Sequence, residues 1–175
     1  MRKIILFAIV IAMAEIAGAT SSYAAEIIKF DGIGVVYASY HFDNDGSHAW
    51  RSPGQRYNEF NPGLTIFFKP EKNLVIDELG FTYILKNSYG VPSVYLSAYR
   101  KLFNAGPVQF DLAAALATGY HDKIKFADRF DGIIPVAGIT MLVYRHFEVD
   151  VIPAGYFAGR DVANEIFFSL RFTGL

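Results

Sequence analysis

The side chains able to do chemistry are few. His41 stands near the end of an alternating stretch, with Asp43 two positions beyond it and Asp45 following. An imidazole is the natural general base near neutral pH, yet on its own His41 reads as an ordinary rim histidine. His48 and His121 fall in polar segments and His146 opens a later alternating stretch; no pair has metal-ligand spacing, so no metal is expected. The chain has no cysteine, which excludes a disulfide framework, a thiolate metal site and a cysteine nucleophile. Arg51, Arg56, Lys123, Lys125 and Arg129 form a basic set in polar connections and could pair with phosphate oxygens, but Asp122, Asp128 and Asp131 are interspersed among the last three. Glu78, Glu148, Asp150, Glu165 and Arg171 sit on the polar face of alternating segments, where buried charges would have to pair with one another. There is no glycine-rich phosphate loop, so nucleotide chemistry and a cofactor are not expected.

The elements that must carry these residues have a period of two. Phe147, Val149 and Val151 alternate with His146, Glu148 and Asp150; Ile166, Phe168, Leu170 and Phe172 alternate with Glu165, Phe167, Ser169 and Arg171. Val36, Ala38, Tyr40 and Phe42 likewise alternate with Tyr37, Ser39 and His41. Such alternation gives strands with two chemically different faces. Turn chemistry at Lys69-Pro70-Glu71-Lys72-Asn73, Asn87-Ser88-Tyr89-Gly90, Asn104-Ala105-Gly106-Pro107 and Tyr144-Arg145 separates eight strands. They are expected near residues 32–42, 61–69, 74–86, 92–102, 106–119, 133–143, 146–153 and 163–172.

Composition narrows the setting. Of the 175 residues 53% are hydrophobic, 16% aromatic and only 19% charged, with a formal net charge of −1, which excludes a disordered chain and disfavours a general nucleic-acid binder. The mean hydropathy of +0.25 is high for a water-soluble domain. Part of it lies in residues 1–24, where basic Arg2 and Lys3, the apolar run Ile4 to Ala14 and the small-x-Ala site Ser22-Tyr23-Ala24 read as a cleaved signal peptide. Residues 25–175 then form a single domain without linkers or repeats.

Long polar connections at 43–60, 120–132 and 154–162 would lie at one end of the strands and short turns at the other, as in a bacterial outer-membrane barrel. One strand face is nearly all aliphatic and aromatic, and Tyr57, Phe60, Tyr89, Tyr120, Phe126, Phe130, Tyr144 and Tyr156 lie near strand ends as interfacial girdles do. The expected fold is therefore all-β, an eight-stranded antiparallel transmembrane β-barrel in the outer membrane of a Gram-negative bacterium. A soluble eight-stranded carrier would put its apolar face inside instead. Eight strands leave a lumen that side chains fill or that holds one slim ligand, not a diffusion pore. Ser93, Tyr95, Ser97 and Tyr99 should point into it, with Gln109, Asp111, Ala113, Ala115 and Ala117 from the next strand. Pro92, Pro107, Pro135 and Pro153 sit at or near strand ends, where they end strands or interrupt the ladder.

Arg56-Tyr57-Asn58-Glu59, Pro62-Gly63-Leu64, Lys86-Asn87-Ser88, Ile134-Pro135-Val136, Ile152-Pro153 and the closing Phe168-Ser169-Leu170-Arg171-Phe172, in this order, resemble the lipid A palmitoyltransferase family, PagP. The resemblance implies an outer-membrane barrel that moves an acyl chain from a glycerophospholipid to lipid A, with the chain held inside the barrel and admitted between proline-weakened strands. It implies catalytic roles for His41 and Ser88, and strand parity puts both at the outward rim. Asn87 stands where the family has Asp. A neutral amide can orient an imidazole but cannot offset the charge of an imidazolium, a task for which Asp43 or Asp45 is the expected substitute. Ser97, between Tyr95 and Tyr99, is the nearest match to the residue that sets acyl length in the family, and the two tyrosines imply a chain shorter than palmitate. Arg56 and Asp43 join these three as expected substrate-binding residues. The partners implied are phospholipid and lipid A, with the chain acting as a monomer; the departure at Asn87 keeps open a non-catalytic barrel serving as a surface structural or binding protein.

Overall fold

A computed structural model describes residues 28–42, 57–70, 75–121, 125–153 and 165–173. The eight strands are β1 (Ile28–His41), β2 (Phe60–Pro70), β3 (Glu78–Ile84), β4 (Ser93–Ala105), β5 (Val108–Ala117), β6 (Ile134–Val143), β7 (Phe147–Ile152) and β8 (Glu165–Thr173), with one helical turn, α1 (Lys125–Asp128), before β6. Each strand pairs antiparallel with the next and β8 pairs with β1, so the sheet closes on itself. Closure removes the edges that an open sheet of this size would present.

Alternation sorts the side chains as the period of two requires. Ser93, Tyr95, Ser97 and Tyr99 of β4 are buried, and Leu96 between them is exposed. On β3 Glu78, Thr82 and Ile84 are buried while Phe81 and Tyr83 face out. Ile33, Val35, Leu64, Leu112, Leu116, Ile139, Leu170 and Phe172 extend the exposed apolar set around the barrel. The polar residues are inside and the large apolar ones outside, the inverse of a water-soluble barrel.

The lumen end near the short turns is filled by charge. Arg171, 3% exposed, forms ion pairs with Glu78 and with Glu148, the latter at 2.9 Å, and its guanidinium lies 3.9 Å from the centre of the Phe67 ring. Thr140 donates to Asp150 and Thr65 meets Thr82 at 2.9 Å, so the layer above is hydrogen-bonded as well. At the same end Asp31 takes a 2.6 Å contact from Lys69.

Two departures from strict alternation matter. In β1 the register shifts between Val36 and Ala38 against both neighbours: against β8 Tyr37 is the extra residue, whereas against β2 the extra residue is on β2, within Asn61–Pro62. Below this bulge the buried positions are Gly32, Gly34 and Val36; above it they are Ser39 and His41. The sequence reading placed Val36 on the face opposite His41, and the bulge corrects it: both point inward, while Tyr37 and Tyr40 face out. A second shift leaves Asp31 extra, next to Gly32, where a Cβ would come within 1.9 Å of the Phe172 carbonyl oxygen. The β6–β7 turn places Tyr144 and Arg145 at φ 50° and 65°, two left-handed residues as a type I′ hairpin needs.

Candidate functional site

The site lies at the end of the barrel opposite Arg171, where β1 ends and β8 begins. Pairing across the closing seam puts His41 directly opposite Glu165. His41 Nε2 comes to 2.9 Å from Glu165 Oε1, at an angle oblique to the ring N–H direction, and Ser88 Oγ donates to the same carboxylate oxygen at 2.6 Å. A hydroxyl, a carboxylate and an imidazole thus meet at one oxygen. His41 is 2% and Ser88 3% exposed, so the cluster is screened from bulk water. The Tyr57 ring stacks on the imidazole at 4.3 Å with 11° between the planes and fixes its orientation.

Local hydrogen bonding explains how Ser88 reaches this position. Asn87 Oδ1 accepts from the backbone N–H groups of Tyr89 and Val91 at 2.9 and 3.2 Å, an Asx turn that folds residues 87–91 back on themselves. Its Nδ2 donates to Ser93 Oγ at 3.1 Å and toward the Gly119 carbonyl at 3.5 Å. Next to it, the Ser88 carbonyl accepts from Asn58 N–H at 2.9 Å. Asn58 and Asn61 both donate to the Lys86 carbonyl, and Asn61 Oδ1 accepts from Ser39 Oγ at 2.5 Å. Two asparagines therefore bind the top of β1, the start of β2 and the β3–β4 turn into one unit, and Ser88 is held by that unit.

Beneath the cluster the wall is aromatic. Tyr57, Tyr89 and Tyr120 make successive edge-to-face contacts at 5.6 and 5.5 Å, and the Tyr120 and Tyr95 hydroxyls meet at 2.5 Å. Burial pushes the phenols of Tyr89 and Tyr120 well above the ordinary tyrosine range, so both remain neutral hydrogen-bonding groups and do not act as bases. A void of about 20 Å³ reaches from His41, Ser88 and Glu165 down to Tyr95 and Phe167. Below it a larger void of about 70 Å³ is lined by Tyr95, Ser97, Tyr99, Ala113, Ala115, Val136 and Phe167 among others. The two share Tyr95, Val136, Ile152 and Phe167 as walls. A void of that size holds about five waters or a short stretch of hydrocarbon, and its lining is mostly apolar.

The structure therefore brings His41 and Ser88 to one carboxylate and sets Tyr95, Ser97 and Tyr99 along the void beneath them. Asn87 is next to Ser88 in the chain, but its amide is turned into the β3–β4 connection and its oxygen is occupied by two backbone donors. Arg56, Asp43 and Asp45, the basic residues Arg51 and Lys123, His48 and the signal segment 1–24 lie outside the described residues. No protein-family model matches the chain, and no curated protein matches it either.

Four contributors to the site carry no site signal in the sequence: Glu165, Tyr57, Tyr89 and Tyr120. Glu165 was grouped with the lumen ion pairs, whereas Arg171 takes Glu78 and Glu148, and Glu165 stands at the other end of β8. Only the β1–β8 register, which places position 165 against position 41, pointed to it. Tyr57, Tyr89 and Tyr120 have the end-of-strand placement of girdle aromatics but pack inside, Tyr57 on His41 and the other two behind it.

The β6–β7 ladder runs only from Val143–Phe147 to Ile139–Val151, although β6 continues to Ile134 in its pairing with β5. Among the described residues, Ile134–Gly138 thus pairs on one side alone, next to Pro135 and Pro153. Ala137 and Gly138 in this stretch also line the larger void.

Proposed function

We propose that the chain is an outer-membrane barrel of a Gram-negative bacterium that transfers an acyl chain from a phospholipid to lipid A, using Ser88 and His41. The observation that carries this reading is the buried Ser88–Glu165–His41 cluster, above a lumen void whose surface is mostly apolar although Glu148 and Asp150 lie at its lower end. A hydroxyl and an imidazole gathered at a carboxylate are the groups acyl transfer uses, and the void below gives the acyl chain a place out of water. The exposed apolar belt supports a lipid setting, because in water it would be a large uncovered hydrophobic surface. The half-paired stretch of β6 beside Pro135 and Pro153 supports lateral passage of a lipid chain, since among the described residues no complete ladder closes the wall there.

Tyr95 and Tyr99 narrow the lumen, and the Phe67–Arg171 pair closes it below. The transferred chain is accordingly shorter than palmitate. Mass spectrometry of lipid A from cells expressing the wild type and Ser88→Ala tests both points. An added acyl mass below that of palmitate, absent in Ser88→Ala, is the expected result. No added mass in the wild type overturns the transferase reading, and efficient palmitoylation overturns the length assignment.

A second reading, a non-catalytic surface barrel on the same scaffold, is favoured by Asn87, whose amide is fully engaged in the turn and lends nothing to His41. It predicts unchanged lipid A in every variant, Asn87→Asp included.

A further inference from the structure

The proposed chemistry needs a carboxylate beside the imidazole, and the chain has Asn87 next to Ser88. The seam of the barrel supplies one from elsewhere. Glu165 Oε1 lies 2.9 Å from His41 Nε2 and accepts from Ser88 Oγ at 2.6 Å. The ring is held by Tyr57, and neither of its buried nitrogens makes a formed hydrogen bond among the described residues; Nε2 is the one that stands 2.9 Å from an acceptor, which leaves Nδ1 with none beside it. An unpartnered ring nitrogen in a buried site is costly unless something comes to it. A substrate hydroxyl would.

We propose that Glu165 is the positioning residue of the site: it holds His41 as the Nε2–H tautomer and offsets the imidazolium, so that Nδ1 is the base. This rests on the acyl-transfer reading. In the step it serves, an acceptor hydroxyl of lipid A gives its proton to Nδ1 while its oxygen bonds to the ester carbonyl carbon of the phospholipid. The tetrahedral adduct then expels the glycerol oxygen, which takes the proton back from Nδ1 and leaves as a lysophospholipid. The new ester is on lipid A, and His41 and Glu165 end as they began. The Ser88 hydroxyl is free to turn from Oε1 toward the ester oxygen as charge builds there. The 2.9 Å contact is oblique in the resting site, and such bonds commonly straighten only once substrate is bound.

The test combines a spectroscopic readout with a kinetic one on the full-length barrel refolded in micelles, with the gel shift of the folded barrel on heating as the folding control. Imidazole ¹⁵N shifts should report His41 as the Nε2–H tautomer in the wild type. Glu165→Gln should shift the population toward Nδ1–H, and Glu165→Asp should restore much of the wild-type pattern. With phospholipid donor and lipid A acceptor, Glu165→Gln should lower kcat by about 10²- to 10⁴-fold with little change in KM, the size of loss seen when a triad carboxylate becomes an amide. A wild type with Nδ1–H at His41 overturns the inference, and so does a folded Glu165→Gln that keeps both tautomer and kcat. A wild type that transfers no acyl chain, yet whose His41 tautomer responds to Glu165→Gln, overturns the transfer reading and upholds the Glu165–His41 pair.

Discussion

Replacing Arg171 by methionine removes the charge around which the short-turn end of the lumen is built. The guanidinium is 3% exposed, pairs with Glu78 and Glu148 and covers the Phe67 ring at 3.9 Å. Methionine keeps much of the stem volume and its sulfur can still lie against Phe67, so packing is largely preserved. The two carboxylates, however, lose the cation they share, and breaking one partner out of a buried ion pair costs about 3–5 kcal/mol. With a urea slope of about 2 kcal/mol/M, the midpoint of unfolding from micelles should fall by about 2 M. A triple variant with Arg171→Met, Glu78→Gln and Glu148→Gln should recover most of it, because a neutral group in place of each charge leaves nothing unpaired. Equilibrium urea unfolding of the three proteins, followed by tryptophan fluorescence, measures all of this. A single variant within about 1 kcal/mol of the wild type, or a triple variant no more stable than the single one, would refute the reasoning.

Other perturbations test other parts of the molecule. Leu112→Arg, mid-strand on the exposed apolar face of β5, should cost about 2–4 kcal/mol when the barrel is unfolded from phospholipid vesicles, and almost nothing if that face meets water. Asn61→Ala removes a fully buried amide that binds Ser39 and the Lys86 carbonyl; thermal unfolding should show a loss of about 1–3 kcal/mol, and faster hydrogen exchange at Asn58 and Leu85 should locate it. Gly119→Ala forces a side chain onto φ +87° with its Cβ 2.3 Å from the Pro92 carbonyl oxygen. Denaturant unfolding should report about 1–3 kcal/mol lost, together with exchange protection at Thr118.

The parts of the fold that were legible in the sequence are those that depend on neighbours in the chain. Alternation in β4 and β5 announced which side chains enter the lumen, and the Tyr144-Arg145 reversal is where the turn chemistry placed it. β3 is shorter than its apolar pattern suggests, starting at Glu78 instead of near 74; at Asp77 the N–H still donates to the Tyr99 carbonyl while the side chain binds Arg100 and the Lys101 N–H, which ends the regular pairing. The bulge at Tyr37 was not legible, since one extra residue changes no residue type; only the two partner strands define it. Yet it is the bulge that lets Val36 and His41 share the interior. The site was half legible for the same reason. Ser88 and its turn are a local signal in Asn87-Ser88-Tyr89-Gly90, whereas the contact between positions 41 and 165 exists only through closure, which no window of sequence contains.

That contact has a consequence for the timing of the chemistry. His41 ends the first strand and Glu165 begins the last, so imidazole and carboxylate are the most widely separated members of the site along the chain and meet only when the two ends of the sheet zip together. A sheet with seven strands in place holds the hydroxyl and the imidazole but not the carboxylate that meets them. Under the acyl-transfer proposal the cluster is thus an and-gate on completed assembly: it becomes competent in the same event that seals the wall of the barrel.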